Sequence, residues 1–355
     1  KTLTTPAAAA GICWGATYEV PGADTAAAVN YTGKVFYKIS NISDRAGNSG
    51  VDKYGSSNLK IDTQKPTLDA ITWHKTENGP SITASTGNTY FKANESVYIK
   101  FVYNEDITSS GVQPFVSLSG FVDTTQPNAN FVKQDGARTL IYKYDVVAGD
   151  SVPINGTLTL LNKNSLIIHD LAGNSPDGVH DRDITNTHIV IDTLGPNGIT
   201  SYPTTNMFIP DTKIAFSFDE LNAPIIDGLV TFTQVSGTTD PNSPHEQSLT
   251  SGDLDNPNAV LVDGKTTFSK KLMTNPPTLI DGGVYNITFK FTDKAGNVGE
   301  HLVNNVTYDT TKPEVIQNSI SFTNNVNNTN WVKAGEKIKL TFKTNEYVIS
   351  PIVTF

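Results

Sequence analysis

A single cysteine, Cys13, stands in the 355-residue chain, so no internal disulfide can staple it. A small disulfide-free domain outside the cell needs another support, and bound metal is the usual one. Charged residues are also sparse, at 17% against the roughly 25% usual for soluble proteins. What charge there is leans acidic, with a formal net charge of -9. That balance excludes nucleic acid and anionic membrane surfaces as main partners. No run of about 18 apolar residues occurs, so no helical membrane insertion is expected in this segment. No signal peptide is visible and the sequence opens on Lys1, which reads as a piece of something longer or processed. Helical 3.6-residue patterning with caps is missing throughout. Catalytic signatures are missing too: there is no G-x-S-x-G, no H-E-x-x-H and no phosphate-binding glycine loop. No enzymatic activity is expected.

What the sequence does have is a period. D-x-A-G-N occurs three times, at Asp44–Asn48, Asp170–Asn174 and Asp293–Asn297, with steps of 126 and 123 residues. An apolar or aromatic residue followed by D-T-x-x-P also occurs three times, at Ile61–Pro66, Ile191–Pro196 and Tyr308–Pro313. Each D-x-A-G-N precedes its D-T-x-x-P by 18, 22 or 16 residues. A third element follows each D-T-x-x-P: an alternating strand that ends in an acid. Val97, Ile99, Phe101 and Tyr103 lead to Asn104–Glu105; Ile214, Phe216 and Phe218 to Asp219–Glu220; Ile338, Leu340 and Phe342 to Asn345–Glu346. Tyr285, Ile287, Phe289 and Phe291 alternate into Asp293, and Val35, Tyr37 and Ile39 approach Asp44 in a similar way. Period-two alternation marks strands with one face in a core.

With Gly, Pro, Asn, Asp, Ser and Thr punctuating the chain, the pattern predicts an all-β protein of tandem β-sandwich domains. D-T-x-x-P marks the boundaries. Two complete domains are expected at 62–191 and 192–308. Residues 1–61 are expected to hold the last strands of a domain and 309–355 the first strands of another. The chain stops inside what reads as a further strand, through Ile352, Val353 and Phe355. The two end pieces total 108 residues, about one domain. They read either as a longer array cut at both ends or as halves that complete one another between chains.

The motif pair resembles the bacterial and archaeal Ig-like repeats of large surface proteins, which carry D-x-A-G-N near the end of a repeat and D-T-x-x-P at the junction. The resemblance covers both middle units fully and the ends in part. It implies an elongated extracellular array at a cell surface, of the adhesin or surface-layer type and often stiffened by calcium.

Sandwich topology places the entry to the first strand, the end of the second and the F–G turn at one pole. The acids of the three motifs are therefore expected to converge. The second unit contributes Asp62, Glu105, Asp170 and Asn174, and the third Asp192, Glu220, Asp293 and Asn297. The fourth contributes Asp309 and Glu346, and the first Asp44 and Asn48. Three carboxylates and an amide oxygen repel each other unless a cation lies between them. Calcium takes 6–8 hard oxygens and tolerates irregular cages. Zinc is disfavoured because Cys and His are missing from the motifs. The alternative reading is ordinary turn chemistry, in which Asp and Gly-Asn close the loops by hydrogen bonds alone.

Weaker features are a stretch with three histidines (His169, Asp170, Asp177, His180, Asp181, Asp183, His188) and a loose calcium-loop echo at Asp253, Asp255 and Asn258. Asn-x-Ser/Thr sequons at Asn30, Asn41, Asn94, Asn155, Asn286, Asn305 and Asn327 permit glycosylation without showing it. Trp14, Trp73 and Trp331 read as core or junction residues. Three functions remain in view: a segment of a surface adhesin or stalk, a self-assembling surface-layer or filament subunit, and a spacer or glycan-binding region of a secreted enzyme. Expected partners are neighbouring Ig-like domains of the same or identical chains, and a cell-surface or glycan ligand.

Overall fold

The computed structural model describes residues 32–109, 115–122, 126–161, 168–176, 184–219, 222–249, 265–271, 276–324 and 331–355. Among these the protein is all-β: strands, turns and two short 3-10 turns, with no α-helix. Two units can be separated. One comprises Lys1–Leu194 with Leu221–Ala223 and Lys294–Asn297, and the other the remainder of Gly195–Phe355. The main cut falls inside the I-D-T-L-G-P segment that sequence reading places at a boundary.

In the first unit, Thr32–Ile39 and Lys53–Asp62 pair as an antiparallel hairpin with no third strand among the described residues. Beyond it lies a seven-stranded sheet. Next to its edge strand Leu68–His74 runs Ser96–Tyr103, which pairs on its other side with Thr139–Asp145. Along Ser96–Tyr103 every second residue is buried, so Val97, Ile99, Phe101 and Tyr103 all enter the core as their alternation requires. Leu158, Leu160 and Ile168 are buried too, which carries the chain toward Asp170. Ile189–Asp192 is buried along its whole length and pairs in parallel with Thr89–Phe91.

The second unit contains two facing sheets. Asn197–Tyr202, Ile214–Asp219 and Lys265–Lys271 make one. Phe208–Ile209, Val298–Tyr308, Gly283–Asp293, Ile225–Gly237 and His245–Leu249 make the other. Phe216 and Phe218 of the first meet Phe291 of the second, with ring centroids 4.6 and 4.7 Å apart. Two sheets closing on interdigitated aromatic rings form a sandwich.

Asparagine serves the turns. Asn41, Asn94, Asn155, Asn206 and Asn305 all have positive φ, a conformation Asn tolerates better than most residues. Four of these five are sequon asparagines, so their abundance reflects backbone shape.

In 309–355 the strands Ser321–Asn324 and Ile338–Thr341 pair only with each other among the described residues. The expected final strand does not form there. Ile352, Val353 and Phe355 carry no ladder, and Ile352 is 92% exposed. A strand needs a neighbour to bond its amides and carbonyls, and the described residues offer none. Of the tryptophans, Trp73 is buried as expected, whereas Trp331 is exposed. Trp14 lies outside the described residues.

Candidate metal centre

The D-x-A-G-N turn has one construction wherever its bonds are described. Asp44 Oδ1 accepts the amides of Ala46 and Asn48 at 2.9 and 2.8 Å, and its Oδ2 accepts Asn48 Nδ2 at 2.7 Å. Asp170 repeats this with Ala172 and Asn174, at 2.8, 2.8 and 2.6 Å. The glycine has φ of 88°, 90° and 89° at Gly47, Gly173 and Gly296, a backbone that a side chain resists. Hydrogen bonds from Asn48 hold the Asp44 carboxyl below its usual range. The turn therefore closes by itself, as ordinary turn chemistry predicts.

The Asp of D-T-x-x-P is equally regular. Asp62, Asp192 and Asp309 each accept the amide two residues on, at 3.1, 3.1 and 3.2 Å. The Asn before Glu pins the following strand in the same way at two positions. Asn104 Oδ1 accepts Thr67 N at 2.8 Å and Asn345 Oδ1 accepts Glu314 N at 2.7 Å.

In the first unit these devices converge. Asp62, Glu105 and Asp170 each bring one carboxylate oxygen to within 4.8 Å of the others. Asp170 is buried, and Glu105 Oε1 is shielded from solvent with no hydrogen-bond partner. Burial, then the charges of Asp62 and Asp170, push the Glu105 carboxyl above its usual range. Hard oxygens without sulfur or nitrogen, one of them lacking any proton donor, suit calcium rather than zinc. Asn174 also holds the turn in place through its amide nitrogen. Its Nδ2 donates to the carbonyls of Asp62 and Gln64 at 3.0 and 3.1 Å, stapling the turn to the entry segment.

The other predicted ligands are placed as follows. Asp192 and Asp293 are buried at the ends of Ile189–Asp192 and Gly283–Asp293. Asn297 Nδ2 donates to the Asp192 carbonyl at 2.8 Å, the same staple as Asn174. Glu220 lies outside the described residues, as do Asp177, His180, Asp181, Asp183, Asp253, Asp255 and Asn258. At Glu346, Oε1 is again shielded and unpartnered, and burial, then Asp309 and Asp281, push its carboxyl up. Asp44 and Asn48 sit in the exposed turn between Thr32–Ile39 and Lys53–Asp62, and among the described residues Asp44 belongs to no cluster of three potential metal-ligating His, Cys, Asp or Glu side chains.

Several functional residues escaped the motif reading. Asp281 grips the D-T segment: its Oδ1 accepts Thr310 N and Oγ1 at 2.6 and 2.8 Å, and its Oδ2 accepts Thr311 Oγ1 at 2.8 Å. Thr193 makes the matching clamp, donating to the Asp150 carbonyl and accepting Gly149 N, both at 3.0 Å. A K-A-x-E turn recurs at Lys92–Glu95 and Lys333–Glu336, where each Glu accepts its Lys amide at 3.0 Å. Its recurrence after 241 residues, about two periods, was available in the sequence. Nothing local marks Asp240, which is buried and bonded to Tyr285 Oη at 2.7 Å and His245 Nε2 at 2.6 Å.

No family model matches the chain, and no curated protein matches it. Among solved structures it is similar to a pullulanase complexed with maltotriose from Anoxybacillus sp. LM18-11, at 11% identity and a TM-score of 0.17. That match covers 58% of this chain and 24% of the pullulanase. A superposition this loose carries no argument about fold or activity.

Proposed function

We propose that the chain is a non-enzymatic, extracellular structural segment: tandem Ig-like modules of a large cell-surface adhesin or stalk, with calcium bound where the motifs converge. One observation carries the reading. Three acids from three motifs, distant in sequence, meet within 4.8 Å in the first unit, and Glu105 Oε1 there has no partner. Holding such a cluster without a cation costs repulsion and desolvation together. A calcium ion held by Asp62, Glu105 and Asp170 would join the entry segment to the turn and to the end of Ser96–Tyr103. That removes hinge freedom at residues 62–66 and suits a part whose task is to hold distance at a cell surface.

Calcium is titrated into the 355-residue chain while thermal melting and solution dimensions are followed, with chelator as the control. The reading expects a higher melting temperature and reduced bending with calcium. An identical melting curve and identical dimensions in both conditions would overturn it.

A further inference from the structure

Among the described residues two pairs of strands run parallel, and each joins the entry side of a unit to its exit. In the first unit Thr89–Phe91 lies beside Ile189–Asp192, with Thr89 opposite Ile189 and Phe91 opposite Ile191, and Thr89 N donates to the His188 carbonyl at 2.7 Å. In the second unit Phe208–Ile209 lies beside the end of Val298–Tyr308. There Asn206 N donates to the Asn304 carbonyl at 2.9 Å, Thr307 N to that of Met207 at 2.9 Å and Asp309 N to that of Ile209 at 3.0 Å. Each exit strand runs directly into a D-T-x-x-P motif. The threonine of that motif is gripped from earlier in the chain, by Gly149 and Asp150 in one unit and by Asp281 in the other.

Strand direction decides how such a pair fails under tension. A pull along the chain draws the first strand of the pair toward its N-terminal end and the second toward its C-terminal end. In parallel strands those two ends lie at opposite ends of the pair, so the strands must slide past each other and every cross-strand bond is loaded at once. In an antiparallel pair they lie at the same end, and the bonds open one after another. Thr32–Ile39 with Lys53–Asp62 is of that second kind, and so is Ser321–Asn324 with Ile338–Thr341. The parallel pair of the first unit is also dry, since Phe91, Ile189, Val190 and Ile191 are fully buried. An amide–carbonyl bond shielded from water is worth several times its net value in contact with water, because no water replaces it as it stretches.

We infer that the two units bear tensile load, each by resisting the shear of its parallel strand pair. This deepens the reading of the chain as a cell-surface stalk and rests on it for the source of the load. The part that carries the pull is backbone, so it works with calcium or without, and the ion stiffens the entry segment instead. About 100 residues separate the two strands of each pair, so each release adds roughly 340 Å of chain at ~3.4 Å per residue.

Single-molecule force spectroscopy of the 355-residue chain, tethered by its two ends in calcium and in chelator, tests this. Two high-force steps of roughly 340 Å each should follow the low-force opening of the two antiparallel pairs. Thr89→Pro deletes the amide that bonds His188 and should lower the force of one step, and Thr307→Pro deletes the amide that bonds Met207 and should lower that of the other. A change of tether tests the first unit without touching the ladder. Holding the chain at exposed Val147 (Val147→Cys with Cys13→Ser) and at its C-terminal end loads Ser151–Val152 and Ile189–Asp192, an antiparallel pair, from one end. One high-force step should then vanish and the other persist. A wild-type chain whose long steps come at the force of the antiparallel pairs overturns the inference. So does a first-unit step that stays at high force when the chain is held at Val147, which would mean that bulk stability and not strand direction sets the resistance. High-force steps lost in chelator overturn it too, since the ion then carries the load, and they leave the calcium reading standing. Steps retained in chelator beside a melting curve that calcium does not move leave the inference standing and the calcium reading overturned.

Discussion

Replacing Glu105 by Gln should have opposite effects with and without calcium. Its carboxylate lies within 4.8 Å of two others. Each such pair costs about 0.9 kcal/mol in bulk water and about 3.5 kcal/mol at an effective dielectric near 20. Glu105 is only half-buried, so screening favours the lower end, and removing two pairs should stabilise the metal-free protein by about 1–2 kcal/mol. At about 4 °C per kcal/mol for a module of this size, melting in chelator should rise by roughly 4–8 °C. In calcium the wild type should gain about 2.7 kcal/mol at a hundredfold excess over Kd, and the variant should lose most of that gain. Differential scanning calorimetry of both proteins in both conditions reads all four values. A variant that melts lower in chelator, or that keeps the full calcium increment, would refute the reasoning.

The pH dependence follows from the same groups. Glu105 and Glu346 are raised in the folded state, so in chelator stability should increase as pH falls through their titration toward the ordinary 4.5. Asp145, Asp240 and Asp281 are lowered, so their contributions are present above the ordinary 3.8 and vanish only as pH drops toward their folded values. Melting in chelator should thus peak in mild acid, and a monotonic fall from neutral pH would contradict this. Gly299→Ala forces a Cβ against a backbone oxygen that cannot retreat alone, so chemical denaturation should show a loss of about 1–3 kcal/mol or more. Phe291→Ala empties the ring cluster between the sheets of the second unit and should cost about 3–5 kcal/mol by the same assay. Tyr285→Phe removes the hydrogen bond to buried Asp240 and should cost about 1–3 kcal/mol.

The all-β class was legible because alternation is a one-dimensional signal. Val97 to Tyr103 and Tyr285 to Phe291 announce their buried faces residue by residue. The meeting of Asp62, Glu105 and Asp170 was legible through repetition, since motifs sharing a period share a place in the module. Their division of labour was not. Asp and Asn both read as oxygen ligands, and only the folded turn shows the amide nitrogen of Asn174 donating to the entry carbonyls. Asp281 was illegible for a related reason: it works in space, 29 residues from the threonine it holds. The absent strand at 351–355 marks the limit of pattern. Alternation proposes a strand, and a neighbour has to accept it.

The clamps on Thr193 and Thr310 divide one dipeptide between two owners. In D-T-x-x-P the threonine bonds residues that come earlier in the chain, at Gly149 and Asp150 or at Asp281. The aspartate serves the residues that follow, through its amide turn. The two residues of the dipeptide thus act in opposite directions along the chain, the threonine on what comes before and the aspartate on what comes after. Insertion or deletion of chain on either side leaves both sets of bonds intact only when the D-T pair stays whole. That gives a reason for the dipeptide to stay fixed while the lengths between copies drift.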